Sequence, residues 1–409
     1  MNSRNAWRVF ALFSLGYFVS FVFRGVNLGF APYLTRELGL TATDLGTLTS
    51  LYFLGFAGAQ IPAGVLLDRY GARRVTALMM LAAAIGATLV GLAPGLGAMM
   101  LGRLLIGVGV SVCLGGALKA MAQSFAVERL PFINGLVMAI GGLGGVAVGL
   151  PLAGLLHIAG WRVVSIGLAV LTLAVASALW LGARDAVGAH APPQATLREQ
   201  FQGTLQVMRS PVFWKLGTFS AISQGVFYAM QSLWVGAFLR DVPATGGNGA
   251  SPASLISIIG IAFVIGNVLL GSLARLLQRR GISVEAFCGG AMAVFIIVQI
   301  AIITRLPLPP WLVWAAYGAF GGSGILTYAI LAGHFPQHLI GRVNTSFTLM
   351  IFLLIFVFQI AIGAALGAWP LQGEHYPIAA HAVVWIVLIV LQGLSGIWYF
   401  RGARRVRPE

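Results

Sequence analysis

Three basic side chains sit inside long apolar runs: Arg24, Arg103 and Lys119. Charge in such surroundings is costly and is usually functional. Arg24 belongs to a polar series, Ser14, Tyr17, Ser20, Arg24 and Asn27, spaced at three- and four-residue steps. On a helix that series forms one face. A guanidinium there can grip a carboxylate or phosphate through two parallel bonds, or it can bond to carbonyls of a broken neighbouring helix. None of the ten acids lies deep in an apolar run, so the buried excess is cationic. A buried cation without a counter-ion is expensive, and an anionic guest would relieve that cost.

Arg103 and Lys119 share one run, sixteen residues apart. At about 100° per residue they point to nearly opposite sides of a helix. Lys119, near the run's end, is placed to snorkel. A second polar series, Gln224, Tyr228 and Gln231 with Trp234 beyond, lies on one face of a later run. It can bond to a solute and stack on it, or serve as glue between helices. Ser323 and Thr327 stand beside Gly321, Gly322 and Gly324, which suggests a close-packed cavity helix. The glycine run has no Lys-Ser/Thr after it, so it is no phosphate loop. The histidines, His157, His190, His334, His338, His375 and His381, fall at run ends or between runs. His334 and His338 have no acid or cysteine neighbours, and no metal site is expected. His381 is a candidate proton relay. Cys113 and Cys288 lie in apolar runs and suggest no disulfide framework. No pair of groups suited to catalysis lies within the runs, so no enzyme and no cofactor is expected.

These residues are positioned by long apolar elements. The chain has 409 residues, 59% hydrophobic and 9% charged, with 54 glycines. That composition calls for lipid as solvent, and small residues let membrane helices approach closely. Runs long enough to cross a bilayer are predicted at 8–34, 46–67, 75–95, 98–121, 132–157, 162–183, 213–239, 252–276, 284–304, 311–333, 343–368 and 378–400. The expected fold is an all-α polytopic membrane protein of twelve transmembrane helices. The alternating segments of a β-barrel are absent. The first run continues without a cleavage signal and is read as a retained span.

The net charge of +15 would suit nucleic acid if it were clustered, but the basic residues are scattered between apolar runs. Of the 25, three lie within runs, and Arg36, Arg162, Arg240 and Arg305 fall on one side. The remaining eighteen fall on the other, which places both termini in the cytoplasm. The longest polar stretch, with Pro192, Pro193 and the amphipathic LREQFQGTLQVM, follows the sixth run. The expected organisation is a six-helix bundle over 1–184, a cytoplasmic linker over 185–212 and a second six-helix bundle over 213–409.

Two motifs carry a resemblance. Gly64-Val65-Leu66-Leu67-Asp68-Arg69-Tyr70-Gly71-Ala72-Arg73-Arg74 follows the second run. It resembles the G-x-L-x-D-R-x-G-x-R-R signature of the major facilitator superfamily. Arg103-Leu104-Leu105-Ile106-Gly107-Val108-Gly109 is similar to that family's R-x-x-x-G-x-G in span four. Span count, orientation and linker agree over the whole chain. The resemblance implies two pseudo-symmetric six-helix bundles working by alternating access. It also implies a cytoplasmic latch built from Gly64, Asp68, Arg69, Arg73 and Arg129. There Asp68 can meet the positive end of a neighbouring helix, with Arg73 or Arg129 completing a charge cluster. Arg69 and Arg74 can also be read as topology anchors. The second half has a worn copy, Gly271 to Gly281, with Arg275 where the acid is expected. The main latch is therefore expected in the first half.

The segment Phe21 to Ala31 and Gln60-Ile61-Pro62-Ala63-Gly64 resemble the anion:cation symporter and organophosphate:phosphate antiporter branches, whose Arg at the place of Arg24 serves the anion. Proton-coupled members often have Asp before that Arg, and here Phe23 stands there. The exporter motif of span five is imperfect, with Pro151 displaced by one residue, which favours uptake. The expected function is a secondary transporter of a small organic anion in the inner membrane. Its proposed substrate contacts are Tyr17, Ser20, Arg24, Asn27, Arg103, Gln224, Tyr228, Gln231, Ser323 and Thr327. The partners are the solute, the bilayer and an undetermined coupling ion, with the protein as a monomer. The alternative is a proton-coupled exporter of lipophilic or cationic compounds.

Overall fold

In the computed structural model, residues 3–182, 197–242 and 251–402 are described. Of the expected linker, 185–196 lies outside them, with Pro192, Pro193 and His190. Basic residues Arg184, Arg404, Arg405 and Arg407 do too.

All regular structure among the described residues is helical. The helices are α1 (Ser3–Leu38), α2 (Ala42–Tyr70), α3 (Ala72–Leu92), α4 (Leu96–Val110), α5 (Cys113–Ser124), α6 (Leu130–Ala147), α7 (Leu150–Gly182) and α8 (Leu197–Met208). They continue with α9 (Pro211–Ala229), α10 (Val235–Asp241), α11 (Pro252–Gln278), α12 (Val284–Ile303), α13 (Pro310–Gly321), α14 (Leu326–His334), α15 (Ile340–Gly367) and α16 (Ile378–Gly402). Among the described residues, ten helical stretches are long and apolar enough to cross a membrane. The protein is an all-α polytopic membrane protein, because only helices of this kind satisfy their own backbone in lipid.

Local chemistry sets several helix ends. At the start of α2, Asp44 accepts from the Thr41 amide (2.9 Å) and the Thr41 hydroxyl takes the Asp44 amide (3.2 Å), a reciprocal cap. Ser251 and Ser283 cap α11 and α12 through the amides of Ser254 and Ala286. Gly71, between α2 and α3, has φ 84°, a backbone that favours glycine. The same need explains Gly281 after α11, at φ 87°.

The sequence treats each span as one unbroken run, and the structure interrupts several. A turn at 111–112 separates α4 from α5, and a 3-10 turn, Ser323–Ile325, separates α13 from α14. A π turn, Met230–Trp234, joins α9 to α10. Gly160, at φ 72° and ψ 167°, breaks α7 close to the expected gap between the fifth and sixth spans.

The chain divides into two compact units: Met1–Leu40 with Thr47–Phe201, and Thr41–Gly46 with Gln202–Glu409. In the first, α3 lies along α4 and α7, and α1 packs on α5, α6 and α7. Glycines permit the closest crossings. A Cβ on Gly107 would run into the Tyr52 backbone, and one on Gly109 into that of Ala83. In the second unit, α11 lies along α13, and α9 packs on α15 and α16. There Gly318 meets the Ile259 backbone.

Gly107→Val should therefore push α4 off α2. Overpacking costs about 1–3 kcal/mol, so the variant should melt several degrees lower in detergent. Gly97→Ala, which enters open space, should match or exceed the parent in the same thermal scan.

Candidate substrate site and charge cluster

In the first unit the predicted face of α1 reaches several different helices. The Tyr17 hydroxyl points at Met138 Sδ of α6 (3.8 Å), and Ser20 Oγ donates to the Val110 carbonyl of α4 (3.5 Å). Asn27 Nδ2 donates to Thr49 Oγ1 of α2 (2.8 Å). Ser14, Tyr17, Ser20 and Asn27 are buried, and Arg24 is half-buried. The Arg24 guanidinium lies 4.3 Å from the centre of the Phe21 ring and is hydrogen-bonded to Tyr52. The Tyr52 hydroxyl in turn donates to the Ser20 carbonyl (3.3 Å).

Arg103, only 2% exposed, donates through Nη1 to the Phe23 carbonyl at 3.1 Å. Its Nε and Nη2 have no hydrogen-bond partner among the described residues. Tyr52 is within electrostatic reach of both guanidinium groups. Tyr52 and Thr49 are not among the residues expected from the sequence, where neither is charged nor part of a motif. Their three-residue step, Thr49 to Tyr52, was the available signal.

In the second unit Gln224 is buried and donates to Ser220 Oγ (3.3 Å), which donates to the Gly324 carbonyl (3.0 Å). Tyr228 and Gln231 are half-buried. Tyr228 packs edge-on to Phe263, at 6.1 Å between ring centres. Ser323 and Thr327 are buried over Cys288, whose Sγ lies 3.6 Å from the Ser323 carbonyl and the Thr327 hydroxyl. Gln231 lies in the π turn, a feature frequent at functional sites. That turn leaves the Ala229 carbonyl to accept from Gln359 Nε2 (2.9 Å), which also reaches Ser232 Oγ (2.7 Å). Nothing in the local sequence pattern marked Gln359 as the residue that completes the turn.

In the loop motif, Asp68 forms an ion pair with Lys119 of α5 at 2.7 Å, and the same ammonium donates to the Leu67 carbonyl (2.8 Å). Lys119, expected to snorkel, is thus a partner of the motif. Arg73 donates to the Trp180 carbonyl (2.7 Å) and stacks near that indole. Arg69 lies over the Tyr70 ring, Gly64 is half-buried, and Arg129 is exposed ahead of α6.

A further cluster was not expected. Asp241, two residues beyond the expected seventh run, ends α10 with its side chain fully buried. Oδ1 accepts from Arg240 Nε (3.0 Å) and bonds His375 Nδ1 (3.0 Å). Oδ2 accepts from the Tyr376 amide (3.2 Å) and bonds His381 Nε2 (3.0 Å). Burial pulls this carboxyl upward, but the bonds from His381 and His375 and the charge of Arg240 outweigh it. The group is left below its ordinary range. Among the described residues no group of histidine, cysteine and acid side chains is arranged to hold a metal. The side chain of His338 lies outside the described residues.

The profile of the Major Facilitator Superfamily matches residues 13–359. The chain belongs to that family. Over 166 residues it is 26% identical to a Cupriavidus necator protein named "Probable sulfoacetate transporter SauU", covering 40% of this chain and 38% of that protein. The matched stretch thus spans less than half of that relative. It is 25% identical over 403 residues to the "Glucose transporter GlcP" of Staphylococcus epidermidis, covering 92% of this chain and 82% of that protein. Among solved structures, a bacterial homologue of the human lysosomal transporter Spinster, inward-facing and unoccupied, aligns with a TM-score of 0.78. The alignment covers 99% of both chains at 18% identity and shows a shared fold.

The Asp68–Lys119 pair is partly exposed, and such pairs contribute roughly 0–1 kcal/mol. Asp68→Asn and Lys119→Ala should each lower the melting temperature only slightly. The double variant should lose no more than the worse single, and the exchanged pair D68K/K119D should recover part of the loss. A thermal-shift double-mutant cycle measures this.

Proposed function

We propose that this protein is a secondary transporter, not an enzyme, and that its solute is a small organic anion. The observation carrying the anion reading is the convergence of two guanidinium groups on Tyr52 within the first unit. No acid occurs in the sequence between Met1 and Arg36, between Gly46 and Leu67, or between Val75 and Val127. The field around Arg24 and Arg103 is therefore positive, and a carboxylate, sulfonate or phosphate placed there is attracted. Arg24 is the half-buried member and the one offered to the solute. The bond to Tyr52 and the contact with Phe21 hold its planar fork in place.

The similarity to a sulfoacetate transporter supports an anionic solute. The match to a glucose transporter makes a neutral hexose the comparison that matters. We read the chain as twelve crossings in two six-helix bundles, working by alternating access with both termini in the cytoplasm of a bacterial inner membrane. The branch is that of the anion:cation symporters and organophosphate:phosphate antiporters. Gln224, Tyr228, Gln231, Ser323 and Thr327 would serve the solute from the second unit. Gly64, Asp68, Arg69, Arg73 and Arg129, joined by Lys119, form the gating cluster.

The test is uptake into proteoliposomes with sulfoacetate, tartrate, glycerol phosphate, glucose and an amphiphilic cation. Uptake of at least one anion is expected, without glucose or cation. Arg24→Ala should abolish it, and Arg24→Lys should largely fail because the fork is lost. Normal anion uptake by a folded Arg24→Ala protein sinks the assignment. Tyr52→Phe removes one hydrogen bond of about 0.5–1.5 kcal/mol, so KM should rise roughly two- to tenfold with the protein still folded.

A further inference from the structure

The Asp241 cluster joins three elements at one end of the second unit. Arg240 and Asp241 end α10, His381 begins α16, and His375 and Tyr376 come from the α15–α16 connection. That connection is shaped by a tight turn in which the Gln372 amide donates to the His375 carbonyl (2.8 Å), with Gly373 at φ 67°. By chain alternation this end lies opposite the one bearing Arg275, Arg279, Arg280 and Arg342. The two imidazoles differ in access. The His375 side chain is 51% exposed and that of His381 4%. His381 is walled by Phe238 (5.5 Å between ring centres) and Tyr376 (6.2 Å). The Tyr376 hydroxyl also accepts from the Ala42 amide. The connection therefore holds the first turn of α2, which belongs to this unit.

We infer that Asp241, His375 and His381 form a proton-binding clasp that fastens the α15–α16 connection and the first turn of α2 onto α10, tightening as the medium acidifies. A neutral imidazole donates one hydrogen bond to the carboxylate, whereas an imidazolium donates the same bond and adds a full opposite charge about 3 Å away, which makes it an ion pair. Histidine is the side chain that ordinarily titrates between pH 5 and 8. Asp241 lies below the carboxylate range. Its contribution is complete at neutral pH and is lost only at more acid values, so it stays charged across that window. The clasp therefore gains as pH falls through the imidazole range and weakens as pH rises through it.

The other charged or titratable groups around the clasp do not reverse this sign. Arg240 shares Oδ1 with His375 and opposes extra positive charge, but it is one-third exposed and screened by water. Glu374, the neighbour of His375 in sequence, is exposed to solvent. Burial pushes the Tyr376 phenol up, so it stays neutral. Asp44, in the first turn of α2, is taken by Thr41. Arg305 lines the cavity behind Phe238 and Val242. Phe238, which walls His381, is itself backed by Trp314 and Trp385.

The clasp's value to the transport cycle rests on the transporter reading, but its test uses no solute. Hydrogen exchange of 368–381 in the full-length protein in nanodiscs, corrected for intrinsic rates, is compared at pH 5.5 and 8.0. The parent should exchange roughly fivefold or more slowly at pH 5.5, and its melting temperature should rise by about 2–4 °C. In the double variant His375→Gln/His381→Gln both differences should vanish. Asp241→Asn should also flatten the profile, and if it fails to fold, the exposed His375→Gln alone should lose about half of the effect. An unchanged pH response in the double variant overturns the clasp and leaves the anion reading intact. Failure of the Arg24 test with the pH response preserved does the reverse. With an accepted solute, acid on the clasp side should slow turnover in the parent and not in the double variant.

Discussion

Hydrocarbon offers a hydrogen-bond donor nothing, so an N–H buried in this protein gains from any protein acceptor within reach, and helix carbonyls supply several. Arg103 bonds the Phe23 carbonyl, Lys119 the Leu67 carbonyl and Gln359 the Ala229 carbonyl. Gln299 and Gln392 instead exchange amide bonds between α12 and α16 (3.0 and 2.8 Å). This need fixes which helices touch and at what rotation. It also explains how a guanidinium that is 2% exposed can be kept within the first unit. A carbonyl carries only a partial charge, so it solvates Arg103 without neutralising it, and the surroundings of Tyr52 and Arg24 stay positive.

The interruptions in the helices follow from the same constraint. A carbonyl inside a regular helix already accepts one backbone bond, and an irregular turn releases some carbonyls from that bond. The π turn after α9 frees Ala229 for Gln359, and the break between α13 and α14 leaves the Ser323 carbonyl facing Cys288. The breaks at 111–112 and 323–325 occupy matching places in the fourth span and the tenth run, and Gly71 and Gly281 turn the chain after α2 and α11. Each unit thus has such a break and such a glycine turn, while their charges differ. Asp68 pairs with Lys119, whereas Arg275 occupies the matching place in the second half. A further charge cluster of the second unit lies at the other end of its helices, around Asp241.

Much was legible because hydropathy is a local property. The ten membrane-length stretches, the all-α class and the two family motifs can be read from residue types and spacing, since lipid forces long apolar runs to be helices. Arg24 and Arg103 were visible as charges where none should be. Helical periodicity placed Tyr17, Ser20, Arg24 and Asn27 on one face but could not say that three of them bond to α6, α4 and α2. The face of an isolated helix carries no information about which neighbour it meets.

What the sequence by itself determined is the solvent, the helices and the surplus of buried positive charge. Only the tertiary structure decided the partners. It brought Tyr52 to Arg24, gave Lys119 to Asp68, and made Asp241 a buried centre shared by two histidines more than 130 positions away. The reason is that hydrophobicity acts on each residue's own surface, whereas a hydrogen bond or ion pair needs two groups within about 3 Å. That proximity belongs to the packed helices and to no stretch of the chain.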